Sequence, residues 1–345
     1  MKEIIRHAFR QSRIHPRTPP PAWAAIVICV LIVAACSPQA PATESPGEVP
    51  VSLPIPSSTP APTPTLFPTA APARSVPDFE HIAMIVFENK EFGSVIGSLK
   101  SPYFNVLAGS NTLLTQQYAT THPSLPNYLS MIGGDTFGIT EDCEDCFINA
   151  PSLPDLIEAS GRTWKTYQED MPAPCYAGST VVYVQKHNPF MYFDPIRLDA
   201  ARCGRSVVPF TQLEEDIAAQ SIPNFVFITP NLCHSAHSCS LPEADAWLDT
   251  LLDRLVPALG ADGKPYLIIV TWDEGQNDLG CCGLPEPAGG RIATILISPR
   301  ARPGLQDDTP YTHYSTLRTI SEAWDLPLLG HAGDPSTAAI TRPWK

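Results

Sequence analysis

The sequence predicts an α/β fold: a three-layer αβα sandwich around a mostly parallel central sheet. Two observations carry this. Short apolar runs rich in β-branched residues recur along the chain, with no polar face, as in strands buried on both sides. Between them lie stretches whose apolar residues repeat at three and four residues, as on a helix with one buried face. Strands alternating with helices make a doubly wound sheet, and such sheets bind ligands beyond the carboxyl ends of their strands.

The elements follow in order. His81–Phe87 is the first strand, and Phe225–Thr229, Tyr266–Thr271 and Ile292–Ile297 are the later ones. A helix is expected to begin near Leu125, where Pro123 and Pro126 bracket Ser124. Ala244, Trp247, Leu248, Leu251, Leu252, Leu255 and Leu259 mark a long amphipathic helix, and Tyr314–Trp324 a weaker one. They lie within residues 78–345, long enough for one domain with a sizeable core.

The residues before this domain have a different composition. Lys2, Arg6, Arg10, Arg13 and Arg17 precede an apolar run from Ala22 to Ala35, too short to span a bilayer and ending at Val33-Ala34-Ala35-Cys36. Residues 1–35 read as a bacterial lipoprotein signal peptide, with Cys36 as the lipidated residue; an uncleaved anchor or a plain secretory signal are the alternatives. Of the 42 residues from Cys36 to Pro77, twelve are proline, interleaved with Ala, Thr and Ser. That composition cannot offset its ordering entropy and predicts an extended tether reaching up to ~120 Å. The domain is expected to be exported, either lipid-anchored to the cell envelope or secreted.

Charge narrows the function. The chain has 22 basic and 35 acidic residues, a net charge of −13; without residues 1–35 the balance is 17 to 34, or −17. A nucleic-acid partner is excluded on this ground, because phosphate backbones require cationic surfaces. Adsorption to anionic lipid is disfavoured too, so attachment to a membrane would rest on the acyl chains at Cys36. No protein partner is implied.

The chemistry is expected where the strands end. Glu88-Asn89-Lys90 follow the first strand, Pro230-Asn231-Leu232-Cys233-His234-Ser235-Ala236-His237 follow Phe225–Thr229, and Trp272-Asp273-Glu274-Gly275 follow Tyr266–Thr271. Oxygen and nitrogen donors brought to one sheet edge suit a hard or borderline divalent cation, although polar residues also end strands and cap helices without further role. Ser124 has two readings as well. Its hydroxyl either caps the helix or, next to the free N–H groups of a helix start, serves as a nucleophile toward an anionic phosphate.

Five ordered segments resemble a known family: Val86–Phe92, His122–Met131, Ile228–His234, Thr271–Gly275 and His313-Tyr314-Ser315. Together they are similar to the bacterial phosphoesterase family of acid phosphatases and phospholipase C-type enzymes, on an alkaline-phosphatase-like fold. The likeness spans residues 80–325. It implies that Glu88, Asn89, Asp273 and Glu274 are metal ligands, that Ser124 is the nucleophile, and that Asn127 hydrogen-bonds a phosphoryl oxygen. His234, His237 and His313 fall where relatives place second-site ligands or groups that protonate the leaving group. Lys186 and His187, in Lys186–Phe190, resemble a segment that steadies substrate charge or packs the core. Where two-metal relatives have an aspartate followed four residues later by a histidine, this chain has Asn231 and Ser235, so the resemblance favours one divalent metal ion. The implied reaction is metal-dependent hydrolysis of a phosphate ester through a phosphoserine on Ser124.

Two rival classes lack support in the sequence. A serine carboxylesterase would carry a G-x-S-x-G elbow, which is absent from the sequence. A non-catalytic lipoprotein binding phosphorylated ligands would not need a nucleophile beside an acidic set.

Besides Cys29 and Cys36 there are eight cysteines, an even number suited to disulfides in an oxidising compartment. Cys233 with Cys239 would brace the loop carrying His234 and His237. Cys143 with Cys146 and Cys175 with Cys203 are further candidate pairs, against a zinc half-site at Cys143 and Cys146. Cys281 and Cys282 either bridge each other or pair elsewhere.

Overall fold

The computed structural model describes residues 75–345; the expected signal peptide, Cys36 and nearly all of the tether lie outside the described residues. In chain order the strands are β1 (His81–Phe87), β2 (Thr112–Tyr118), β3 (Trp164–Gln168), β4 (Val207–Pro209), β5 (Phe225–Thr229), β6 (Tyr266–Trp272), β7 (Arg291–Ile297), β8 (Gln306–Asp307) and β9 (Tyr311–Thr312). The helices are α1 (Phe92–Val95), α2 (Pro102–Ser110), α3 (Ser124–Gly133), α4 (Leu153–Ala159), α5 (Asp194–Arg197), α6 (Ala200–Ser206), α7 (Thr211–Ala218), α8 (Leu241–Leu259) and α9 (His313–Ala323).

The strands form one sheet in the order β4-β3-β5-β1-β6-β7-β2-β8, with β9 also pairing to β2. It is parallel except for β7, which runs against both of its neighbours β6 and β2. The expected strand at Ile292–Ile297 is therefore present but reversed, and the sheet is mixed near that edge.

Alternation along the strands divides the core in two. From β1, Ile82, Met84 and Val86 face one cluster together with Leu125 and Leu129 of α3, Ile157 of α4 and Leu317 of α9. Ala83, Ile85 and Phe87 face the other, with Phe104 of α2, Leu213 of α7 and the leucines of α8. Helices thus cover both faces, which makes the expected three-layer sandwich. Helix α8 starts at a capping box formed by Ser240 and Glu243 and buries Leu248, Leu251, Leu252, Leu255 and Leu259. Each such side chain contributes about 1.5–3 kcal/mol on burial, so the helix is held by packing more than by propensity.

Among the described residues no helix is long and apolar enough to cross a membrane. All four cysteine pairs are disulfides: Cys143–Cys146, Cys175–Cys203, Cys233–Cys239 and Cys281–Cys282.

Candidate active site

Parallel pairing brings two polar strand ends together. Phe87 of β1 is the register partner of Trp272 of β6, so the residues that follow each strand leave the sheet side by side. Asn89 turns in the left-handed region (φ 47°), a conformation asparagine tolerates better than most residues. Its backbone N–H then donates to Asp273 Oδ1 at 2.9 Å, and the Glu274 N–H donates to the same oxygen at 2.7 Å. The Asn89 side-chain amide donates to Glu274 Oε1, while its own Oδ1 is buried without a partner.

Three carboxylates are buried in this cluster: Glu88 and Asp273 are fully inaccessible, and Glu274 nearly so. Burial, reinforced by Asp273 alongside, pushes the Glu88 carboxyl well above the usual carboxylate range. Burial and then the neighbouring Glu274 push Asp273 up to about 7. Asp273 Oδ2, like Asn89 Oδ1, has no hydrogen-bond partner. Buried acceptors of one charge sign are costly when nothing offsets them, and an all-oxygen set is the chemistry of a hard divalent cation. Glu88, Asn89, Asp273 and Glu274 have the donor chemistry that such an ion takes.

Ser124 opens α3 directly over this cluster. The N-cap is Pro123, with Ser124 at the first helical position, so its hydroxyl is not spent on capping. Oγ lies 3.4 Å from Glu88 Oε2 and 3.4 Å from Glu274 Oε1, and the residue is buried.

Asn127 is placed differently from the expectation. Its Oδ1 accepts from the Thr120 and Thr121 amides (2.9 and 3.1 Å), and its Nδ2 donates to the Thr121 and Pro123 carbonyls (2.7 and 3.0 Å). The side chain is fully engaged in holding the loop that delivers Ser124, with no donor left for a phosphoryl oxygen.

The histidines separate into distinct positions. His187 is buried, stacked on Tyr128, with Nε2 3.2 Å from Glu88 Oε2 but not hydrogen-bonded; burial holds it well below the usual histidine range. His237 is exposed, its ring 5.7 Å from that of His187, and partial burial and then Lys186 lower its pKa. His313, at the start of α9, donates from Nε2 to the Asp273 carbonyl at 2.6 Å. Burial lowers its pKa to about 4, and its Nδ1 is buried without a hydrogen-bond partner. His234 is directed elsewhere: Nδ1 pairs with Glu169 at 2.9 Å and the ring stacks on Trp247. The structure does not join His234 to the carboxylate cluster. Lys186 is held at 2.6 Å by Asp142, whose other oxygen accepts the Leu125 N–H at the start of α3.

Three residues assigned no role from sequence also belong to the site. His122 pairs with Glu274 through Nδ1 and donates to the Asn277 carbonyl from Nε2; the Glu274 contact raises its pKa to about 9. The ring thus sits between a carboxylate of the acidic set and a backbone carbonyl. The Tyr128 hydroxyl donates to Glu88 Oε1 from α3. Lys90 donates to the Ala236 carbonyl at 2.9 Å, tying the loop of His237 to the end of β1. His122 and Tyr128 stand in the His122–Met131 segment, but nothing in that linear pattern names their partners.

The architecture is that of alkaline-phosphatase-like hydrolases. A protein of the alkaline phosphatase superfamily from Vibrio parahaemolyticus superposes with a TM-score of 0.52 at 13% identity, covering 76% of this chain and 72% of its own. Residues 99–327 match the model of the Phosphoesterase family. A protein named phosphatidylinositol-3-phosphatase, from Mycobacterium tuberculosis, is 32% identical over 75% of this chain and 82% of its own length. The phosphate-repressible acid phosphatase of Penicillium chrysogenum is 34% identical over 73% of this chain, which spans 60% of the fungal protein. The chain belongs to the Phosphoesterase family, and these relatives support its being a phosphoric ester hydrolase.

Proposed function

We propose that the protein is a metal-dependent phosphomonoesterase acting through a phosphoserine on Ser124. The observation that carries this reading is the uncapped Ser124 hydroxyl, 3.4 Å from two buried carboxylates whose neighbours include unpartnered oxygens. The monoester class is supported by relatives that are named phosphatases.

When bound by Glu88, Asn89, Asp273 and Glu274, a divalent cation would supply Lewis-acid stabilisation of the negative charge that builds on oxygen. Glu88 or Glu274 takes the Ser124 proton as Oγ attacks phosphorus, a new O–P bond forms, and the bond to the leaving alkoxide breaks. His237, on the open side of the site, gives that alkoxide its proton and then takes one from the water that attacks phosphorus; the Oγ–P bond breaks and the carboxylate returns its proton to Ser124 Oγ. Lys186, His187 and His122 supply positive or donor groups around the transferring phosphoryl group.

The test is p-nitrophenyl phosphate hydrolysis with and without chelator, joined to mass spectrometry of acid-quenched protein. Chelator-sensitive release and a phosphate on the Ser124 peptide are expected. Turnover that survives complete metal removal, or a phosphate absent from Ser124 during turnover, would overturn the reading. The same proposal includes export, acylation at Cys36 and a tether over residues 36–77.

A further inference from the structure

A cavity of about 400 Å³ opens beside the candidate active site, within the roughly 300–1,000 Å³ range of small-molecule sites. Three of its wall segments lead directly into that site. Thr121 precedes His122, which contacts Glu274; Thr140 lies two residues before Asp142 on the α3 start; Thr312 precedes His313, which contacts Asp273. Thr121 and Ser124 are three residues apart, and three residues of extended chain span about 10 Å at most, so the cavity rim is within reach of a group attached to phosphorus.

The wall has a specific chemistry. The wall carries the hydroxyls of Thr140 and Ser336, both exposed and without a hydrogen-bond partner among the described residues. Asp135 uses one carboxylate oxygen on the Phe137 N–H, and its second oxygen has no partner among the described residues. No lysine or arginine lines the cavity, and His331, its one wall histidine, is paired with Asp334 at 2.7 Å. Leu284, Pro285 and Ile139 supply apolar surface. Carboxylates and free hydroxyls accept O–H groups, apolar side chains take a C–H face, and the absence of a free cation disfavours any second anionic group.

We propose that this cavity is the leaving-group subsite and takes a neutral polyol, such as a sugar or cyclitol ring. The inference rests on the phosphomonoesterase reading and sharpens it. A polyol carrying one phosphate, which is placed at Ser124, is accepted; one carrying a second phosphate is not.

The test compares kcat/KM of the full chain for glucose 6-phosphate, inositol 1-phosphate and glucose 1,6-bisphosphate, each relative to p-nitrophenyl phosphate. Monophosphates are expected to exceed the bisphosphate by about tenfold or more. In Asp135→Asn and, separately, in the exposed-site variants Thr140→Val and Ser336→Ala, the polyol-to-nitrophenyl ratio is expected to fall. Ratios that stay within about twofold of wild type in all three, or a preference for the bisphosphate, overturn the subsite. Binding of free inositol to Ser124→Ala protein, read by saturation-transfer NMR, reports on the cavity without catalysis. If wild type hydrolyses none of the esters, the phosphomonoesterase reading fails, and the NMR result alone decides the cavity: binding lost in Asp135→Asn supports it, and no binding overturns it.

Discussion

At the residue scale, the contrast between Ser124 and Asn127 separates catalysis from stability. Ser124 makes no capping bond, so Ser124→Ala is expected to lower kcat by about 10³-fold or more while leaving the thermal midpoint nearly unchanged. A variant that retains wild-type turnover would remove Ser124 from the mechanism. Asn127 makes four hydrogen bonds to the backbone of residues 120–123 in a fully buried setting. Asn127→Ala leaves a buried N–H donor at Thr120 and a partly buried one at Thr121 unpaired, at about 1–3 kcal/mol for the buried group, so urea melting should report a loss of that order. If stability were untouched and only KM rose, Asn127 would be a phosphate ligand after all. Asp273 behaves in a third way. Its charge is buried against Glu88 and Glu274, so Asp273→Asn should raise the melting temperature of chelator-treated protein and abolish the gain that added divalent metal gives wild type.

At the element scale, what could be read from sequence depended on whether a pattern is local. β1, β5, β6 and β7 were legible because each is a run of apolar residues bounded by polar ones. β2 was missed because Thr112–Tyr118 contains Gln116 and Gln117 and its pairing with β7 shifts register between Leu114 and Gln117. The reversal of β7 was also beyond reach, since strand direction is set by pairing partners and not by composition. The strand ends that bear Glu88, Asn89, Asp273 and Glu274 were visible as donors, whereas the His122 and Tyr128 contacts depend on how α3 crosses the sheet edge. One position shows how tightly α3 is set: Gly134 ends it at φ 76°, and a Cβ there would lie 2.2 Å from the Leu329 carbonyl oxygen. Gly134→Ala is expected to destabilise by about 1–3 kcal/mol or more and to lower activity with it, because the far end of the nucleophile helix must move. Full activity with unchanged melting would mean that residues 329–330 yield without disturbing α3.

At the scale of the whole molecule, the net charge and the proposed lipid anchor bear on where the protein would be held. On the proposed lipoprotein reading, a mature chain of charge −17 would gain nothing from an anionic bilayer, and its retention there would depend on Cys36 rather than on the folded domain. A single acyl chain gives only marginal binding, and a diacyl anchor at Cys36 would supply the second signal needed for stable anchoring. Cys36→Ser should therefore move the protein from the membrane pellet to the soluble exported fraction without changing kcat or KM toward a soluble phosphomonoester. Shortening the proline-rich segment should leave those constants alone too, because every group of the candidate site lies between Glu88 and His313. The two changes diverge for a substrate embedded in the bilayer: release by Cys36→Ser lowers its local encounter rate, whereas a shorter tether brings the site closer to the surface. If Cys36→Ser stays in the membrane pellet after high-salt washing, attachment runs through an uncleaved apolar segment at residues 22–35, and the lipoprotein reading fails while the catalytic one stands.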